Sequence, residues 1–210
     1  MSSERSLKES IYDKILEGIL NYEYKPNQIL TEKDLVQRYG CSKSPVREAL
    51  ISLCNDGVLR NIPRCGYEVI RLTMDDVNEI QNFRRVLECG ILRQCYKRIT
   101  PKQLERLREL NRCCTDSRDM FQHWEHITAF HLQLMMCSQN QYAYLQLQRA
   151  MAVMRRAYAQ FYWDKWDATS PPLDTQNHQK ILDALENGDI DLAVTALDND
   201  LNDFGEVQAH

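Results

Sequence analysis

Residues 31–50 constrain the fold of this chain more than any other segment. They have the pattern of two short helices joined by a tight turn, in which Gly40 lies where a positive φ angle is needed. Thr31 is a suitable N-cap for the first helix, and Ser42 or Ser44 can cap the second. We therefore predict a helix-turn-helix over this segment.

The second helix of this segment has one apolar and one polar face. Its apolar residues recur at i, i+3, i+4 and i+7, and they are Val46, Ala49, Leu50 and Leu53. Lys43, Ser44 and Arg47 lie off that face, and Pro45 falls in the first turn, where a proline is tolerated. Cations and hydroxyls at the N-terminal end of a helix suit insertion into the major groove of DNA.

The flanking residues extend the motif. Residues 7–21 have the periodicity of a first helix, and after Asp56-Gly57 the chain alternates as a β-hairpin. The two strands occupy residues 58–62 and 67–70, and residues 63–66 form the turn between them. Three helices and a hairpin predict a winged helix-turn-helix, with Arg64 at the tip of the wing.

Residues 7–70 closely resemble the DNA-binding domain of the GntR family of bacterial transcription regulators. The matching residues, in one order, are Lys25-Pro26, the run Leu30–Leu50 with its core Ser-Lys-Ser-Pro-Val-Arg-Glu-Ala-Leu, Asp56-Gly57 and Gly66. The resemblance implies a homodimer that places two winged helices on a palindromic operator in double-stranded DNA. It implies that the DNA-contacting residues are Lys33 on phosphate, Ser42, Lys43, Ser44 and Arg47 in the major groove, and Arg64 and Gly66 in the wing.

Three positions depart from the usual pattern of that family. Asn27 replaces glycine, Cys41 replaces valine, and Lys43 replaces arginine. Asparagine tolerates turn geometry, so the first change is mild. Lysine lacks the bidentate fork that reads guanine, so the change at residue 43 alters or softens base discrimination.

The charge of the chain is uneven. Its net charge is −4. Residues 1–72 carry 11 Lys and Arg against 10 Asp and Glu, which leaves 15 against 20 for residues 73–210. A slightly basic N-terminal part on an acidic remainder suits a protein that touches DNA with one part only.

The eight cysteines do not form a pattern typical of disulfides or metal sites. They are Cys41, Cys54, Cys65, Cys89, Cys95, Cys113, Cys114 and Cys137, with no Cys-x-x-Cys pair. No signal peptide and no apolar run of membrane-spanning length is evident. We expect a soluble, cytoplasmic protein with reduced thiols and no membrane partner.

The remainder of the chain has helical periodicity throughout. Six helices are predicted, from Thr73 to Lys97, from Thr100 onward, from Arg118 to Cys137, from Tyr142 to Trp166, from Asp174 to Leu185, and from Asp189 to about Phe204. Ser170–Leu173 is predicted to be a loop. The chain is therefore expected to be mainly α, with a winged helix-turn-helix at residues 1–72 and an all-α bundle at residues 73–210.

This second part resembles FCD, the all-helical effector-binding domain of the FadR-like branch of the GntR family. The matching residues are Arg84–Glu88, Phe130-His131, Asn140, His178–Leu182, Gly188-Asp189 and Ala193. The resemblance implies a domain for dimerisation and for binding a small effector, such as an organic or sugar acid.

Many domains of this family hold a divalent metal with an aspartate and three histidines. His131 and His178 occupy the first two histidine positions, whereas Ile127 replaces the aspartate and Asp200 replaces the last histidine. His131, His178 and Asp200 are therefore candidate ligands for Zn, Ni or Mn. The alternative is that both histidines are interior residues of a pocket that binds its effector directly. Asp174 is either a further ligand or a helix cap.

Arg84 also has two interpretations. It can pair with an anionic effector, or it can form a salt bridge with Glu88 one turn later. The effector-binding candidates are thus Arg84, His131, His178 and Asp200.

Two functions other than regulation are compatible with parts of this sequence. The helical part could be a metal-dependent enzyme using His131, His178 and Asp200, with the winged helix as an accessory, or the winged helix could serve protein contacts. The sequence shows no nucleophile with an adjacent base and no Gly-rich phosphate loop. We therefore expect a ligand-responsive transcription regulator, a repressor rather than an enzyme.

Overall fold

The computed structural model describes residues 6–117, 120–162 and 175–202. Its α-helices are α1 (Leu7–Leu20), α2 (Glu32–Tyr39), α3 (Lys43–Asn55), α4 (Met74–Cys95), α5 (Pro101–Asp116), α6 (Met120–Met136), α7 (Gln141–Tyr162), α8 (Thr175–Glu186) and α9 (Ile190–Leu201). Its strands are β1 (Ile29–Leu30), β2 (Leu59–Ile62) and β3 (Gly66–Val69). The predicted mainly α fold is confirmed.

The chain divides into two compact units. The first comprises the N-terminal segment to Thr73 and the last turns of α7, from Arg156 onward. The second comprises α4 to α6, the earlier part of α7 to Arg155, and the helices α8 and α9.

The helix-turn-helix forms as the sequence predicts. The Thr31 side chain accepts a hydrogen bond from the backbone of Asp34, and Gly40 ends α2 with a φ of 60°. Ser42 occupies the N-cap position of α3, although its side chain makes no capping hydrogen bond. The four apolar residues of α3 are all fully buried against α1 and the sheet. Burial of this face orients the opposite face of α3 toward solvent.

The wing is part of a three-stranded antiparallel sheet with the order β1-β3-β2. The sequence predicted the hairpin of β2 and β3 but not β1, which is only two residues long. Gly66 begins β3 with a φ of 132°, and a Cβ atom there would lie 2.5 Å from the carbonyl oxygen of Leu30. A side chain at residue 66 would therefore collide with the backbone of β1.

The end of α7 is built into the first unit by two polar side chains. Arg156 is buried and donates to the carbonyl oxygen of Gly57 at 2.8 Å. The Gln160 amide accepts from the Leu72 N–H at 2.9 Å and donates to the Leu72 carbonyl at 2.5 Å. The sequence assigned this whole helix to the C-terminal part, so its role in the first unit was not predicted.

Within the described residues the second unit is all-helical, and its helices α4 to α9 confirm the predicted bundle. Its main core joins α4, α5, α6, α8 and α9 through residues that include Leu92, Leu107, Phe130, Ile181 and Leu197. The predicted helix start at Arg118, helix end at Trp166, loop Ser170–Leu173, cap or ligand Asp174 and helix end near Phe204 lie outside the described residues. Among the described helices, none is both long and apolar enough to cross a membrane.

Candidate functional site

The exposed face of α3 forms the first candidate site. The side chains of Lys43 and Arg47 are 65% and 53% exposed, and Ser42 and Ser44 are exposed beside them. Lys33 is exposed on α2 and Arg64 at the tip of the wing, where Arg64 has a φ of 67°. These side chains project from the helix-turn-helix and the wing, the two elements that meet DNA in winged-helix proteins.

One carboxylate, that of Glu32, organises the long cations of this face. Arg47 donates from Nε and Nη2 to its two oxygens at 2.8 and 3.0 Å. The Lys43 ammonium lies 3.2 Å from Oε2 of the same carboxylate. The hydrogen bond from Arg47 holds the pKa of Glu32 below its usual value, against the opposing effect of burial. Sequence reasoning did not single out Glu32.

The second candidate site is a buried cluster in the second unit. His131 on α6, His178 on α8 and Asp200 on α9 each offer a ligand atom, and these atoms lie within 4.8 Å of one another. His131 Nε2 is 3.1 Å from Asp200 Oδ2, and His178 Nε2 is 3.5 Å from Asp200 Oδ1. The structure thus brings together the three residues that the sequence proposed as ligands.

Glu88 and Arg84 extend this cluster along α4. His131 Nδ1 is 2.7 Å from Glu88 Oε2, and Arg84 Nε donates to Glu88 Oε1 at 2.8 Å. All these side chains are at most 6% exposed. The salt bridge that was one interpretation of Arg84 is therefore present, and through Glu88 it adjoins the histidines.

The pKa values of the two histidines in this cluster are shifted in opposite directions. Burial alone would lower the pKa of His131, but the Glu88 charge and hydrogen bonds to Asp200 and Glu88 raise it to about 9. Burial lowers the pKa of His178 to about 4. The pKa values of Glu88 and Asp200 stay below their usual range despite burial, chiefly because of Arg84 beside Glu88 and His178 beside Asp200. At neutral pH two cations thus face two anions, while His178 is neutral.

Two buried polar atoms of this cluster have no hydrogen-bond partner among the residues that the structure describes. They are Nη2 of Arg84 and Nδ1 of His178. His178 is held in place by stacking on Phe130, with ring centroids 3.9 Å apart and planes inclined by 13°. Buried polar atoms are normally paired, so these two are available to a bound molecule.

The cluster fits a metal ion with three protein ligands. Asp200 supplies a carboxylate, His178 supplies Nε2, and His131 supplies Nε2 if it gives up its proton. The contact between Glu88 and Nδ1 of His131 is the one that orients metal-bound histidines in proteins. Ile127, half-buried at the position of the missing aspartate, cannot be a ligand.

His123, which sequence reasoning missed, is a further buried histidine of α6. Its Nδ1 lies 3.0 Å from the Cys114 carbonyl, and its Nε2 has no hydrogen-bond partner within the described part of the chain. Burial lowers its pKa. The spacing of His123, Ile127 and His131 at i, i+4 and i+8 places all three on one helical face, which was the available signal.

Both parts of the chain match known families. Residues 7–69 match the bacterial regulatory proteins of the gntR family, and residues 79–203 match the FCD domain.

Similar proteins were found along almost the full length. An uncharacterized HTH-type transcriptional regulator from an unstable DNA locus of Streptomyces ambofaciens is 29% identical over 98% of this chain and 88% of its own length. The HTH-type transcriptional repressor RspR of Escherichia coli K12 is 26% identical over 98% of this chain and 90% of its own. The solved structure of E. coli McbR/YncC has a TM-score of 0.77 at 21% identity, with 95% of each chain covered.

Proposed function

The chain belongs to the GntR family of bacterial regulatory proteins and carries an FCD domain, and we propose that it acts as a homodimeric repressor under the control of a small molecule. It is a DNA-binding regulator of transcription, like the named members of the families that it matches. One of these relatives is named a repressor, which supports repression here. In this proposal residues 1–72 bind DNA and residues 73–210 bind the effector and dimerise, and the protein is not an enzyme.

The DNA contacts that we propose follow from the exposed face of α3. Two long cations and two serine hydroxyls stand together there, and this is the observation that carries the proposal. The major-groove residues are Ser42, Lys43, Ser44 and Arg47, the phosphate contact is Lys33, and the wing contacts are Arg64 and Gly66. A dimer would present two such faces to a palindromic operator.

The effector site that we propose is the buried cluster of Arg84, His131, His178 and Asp200. Nη2 of Arg84 and Nδ1 of His178 retain hydrogen-bonding capacity inside an otherwise satisfied network. A guanidinium with an unused N–H suits an anionic oxygen. We therefore propose an anionic effector, such as an organic or sugar acid.

A divalent ion such as Zn, Ni or Mn would be held by His131, His178 and Asp200. When bound, such an ion supplies a Lewis-acidic position for an anionic ligand. Replacing the His131 proton with a divalent ion adds one positive charge to a cluster whose charges otherwise balance. An effector carboxylate would restore that balance, so metal and effector are expected to bind cooperatively.

Calorimetric titration of the metal-free protein with Zn²⁺ tests this part of the proposal. Binding should release protons and should be tighter at pH 8 than at pH 6, because His131 must deprotonate. His178→Ala should weaken binding, whereas His126→Ala, which alters a histidine outside the cluster, should not. Equal binding by wild type and His178→Ala would place the ion elsewhere.

Dimerisation is supported by an apolar groove between α4 and α7 in the second unit. The groove has a volume of about 310 Å³, and its lining residues are Glu79, Ile80, Phe83, Gln146, Arg149, Ala150 and Val153. On the same two helices, Val86 of α4 is 78% exposed and Tyr142 of α7 is 74% exposed. Exposed apolar surface of this kind marks interfaces more often than free surface.

Selection of bound duplexes from a randomised DNA pool, at two salt concentrations, tests the main function. We expect an inverted repeat, with affinity that falls steeply as salt increases. The selected operator then serves as the probe in a screen of organic acids with and without Zn²⁺. Recovery of no sequence above background, in the presence and absence of the acids, would contradict the proposed regulator.

A further inference from the structure

The acidic side chain of Glu32 lies where a DNA-binding surface would be expected to carry none. Glu32 is the first residue of α2, and its carboxylate reaches both Lys43 and Arg47 of α3. The Glu32 side chain is 18% exposed, whereas those of Lys43 and Arg47 are 65% and 53% exposed. The acid is therefore recessed behind the two cations rather than presented beside them.

The contact between Glu32 and Arg47 restricts how the arginine can read a base. A guanidinium has five N–H groups, and Glu32 engages Nε and one N–H of Nη2. The edge formed by Nη1 and Nη2 carries the N–H groups that remain. Bidentate recognition of guanine O6 and N7 needs two adjacent donors, and this end-on edge supplies them in a single orientation.

The same contact limits the conformational freedom of both cations. Free arginine and lysine side chains lose much rotamer entropy when they are ordered at an interface. Glu32 orders Lys43 and Arg47 before DNA arrives. Burial and then the charge of Glu32 raise the pKa of the Tyr67 phenol on β3, and a side-chain hydrogen bond with Glu32 raises it further. The acid thus links α2, α3 and the wing strand.

A recessed carboxylate also opposes indiscriminate binding. Its charge reduces the net attraction of this face for phosphates of any sequence, whereas correctly placed base contacts are retained. We propose that Glu32 is a specificity-determining residue of the DNA-binding surface, which positions Arg47 and Lys43 for base contacts and weakens binding to other DNA. This inference rests on the proposed contact between α3 and the major groove.

The test uses the full-length protein and three variants. Glu32→Gln removes the charge but keeps the size, and Glu32→Asp keeps the charge but shortens the reach. Glu23→Gln is the matched control, because Glu23 forms an exposed ion pair with Arg38 in the same unit but contacts neither Lys43 nor Arg47. Each variant is challenged with the randomised duplex pool, and its affinities for the selected operator and for unrelated DNA are measured against salt.

Glu32→Gln should lower the specificity ratio, which is the affinity for the operator divided by the affinity for unrelated DNA, by at least about fivefold. This is the lower end of the discrimination that one bidentate base contact provides. The variant should also tighten binding to unrelated DNA more than Glu23→Gln does. Glu32→Asp should lose base preference without that tightening. Thermal melting separates these effects from lost stability, because a purely structural role would lower the melting temperature and leave the affinity ratio of the folded protein unchanged.

The outcomes distinguish this inference from the proposed function. If wild type selects an operator and both Glu32 variants keep its full base preference, the role of Glu32 is refuted while the regulator stands. If wild type selects no sequence, the proposed groove contact fails, and the role of Glu32 fails with it.

Discussion

His131 Nδ1 lies 2.7 Å from the carboxylate of Glu88, and both side chains are at most 2% exposed. The other imidazole nitrogen of His131 faces Asp200 at 3.1 Å. A histidine between two buried carboxylates is stabilised as a cation, so the interior of the second unit contains a network of compensating charges. Such a network is costly to break at any single member, because the remaining partner stays buried and unpaired.

Glu88→Gln should therefore destabilise the second unit strongly. The amide leaves the Arg84 and His131 cations without their shared anion, and we expect a loss of about 3–5 kcal/mol in the free energy of unfolding. Urea denaturation followed by circular dichroism measures it. Glu109→Gln, which breaks an exposed ion pair with Arg106, should cost less than about 1 kcal/mol. Similar midpoints for the two variants would show that the buried network contributes little.

The ordinary pKa of a histidine is about 6.5. The stability of the metal-free protein should decrease as the pH moves away from this value in either direction. The pKa of His131 is raised to about 9, so its contribution is complete below pH 6.5 and is lost as the pH rises toward 9. The pKa of His178 is lowered to about 4, so its contribution is complete above pH 6.5 and is lost as the pH falls toward 4. Melting temperatures recorded with a chelator from pH 4.5 to 9.5 should show a maximum between these limits.

His131→Gln provides the control for this pH dependence. The variant should be less stable overall, and its stability should decline less than that of wild type between pH 7 and 9. If the variant lost as much stability as wild type between pH 7 and 9, groups other than His131 would be responsible for that loss.

Arg47→Ala should weaken binding to the selected operator by about 1–3 kcal/mol and relax preference at the base that Arg47 reads. The reason is the loss of a bidentate donor from the N-terminal end of α3. Fluorescence anisotropy with the operator and with single-base variants measures both effects. Arg38→Ala, which removes a cation on α2 that is paired with Glu23, should leave the base preference intact. Unchanged preference in Arg47→Ala would remove Arg47 from the base contacts.

Gly66→Ala should destabilise the first unit whether or not DNA is present. Its φ of 132° and the 2.5 Å approach of the Leu30 carbonyl leave no room for a methyl group. Backbone strain alone should cost about 1–3 kcal/mol. Gly90→Ala in α4 is the matched control, because a Cβ there meets nothing within 4 Å. Its better helix propensity should add about 1 kcal/mol, so thermal melting should shift in opposite directions for the two variants.

The sequence predicted those features that depend on local pattern. Periodicity and turn chemistry predict the buried face of α3, the positive φ of Gly40 and the helical character of the second unit. All three are confirmed in the described residues. The strand β1 was missed because two residues carry no detectable alternation, and its pairing with β3 joins residues almost 40 positions apart.

The candidate sites were predicted only in part, because the sequence shows local patterns but not the contacts between residues far apart in the chain. His131, His178 and Asp200 were recognised by their positions in a family pattern, and they do meet in space. The contact of Glu88 with His131 joins residues 43 positions apart, and the contact of Glu32 with Arg47 joins the consecutive helices α2 and α3 across their turn. No spacing rule predicts such pairs, because the packing of one helix on another decides which long side chains meet.

The contacts of Arg156 and Gln160 restrict how parts of such regulators can be exchanged. The sequence suggests residue 73 as a natural junction for recombination. If residues 1–72 were joined to the C-terminal part of another regulator, that part would need an arginine and a glutamine at the positions on α7 that reach Gly57 and Leu72. Without them the backbone carbonyls that these side chains cover would lose their partners. Exchange of the N-terminal part of this chain therefore preserves these hydrogen bonds only where the recipient supplies the matching arginine and glutamine, a constraint on gene fusion and on the assembly of hybrid biosensors.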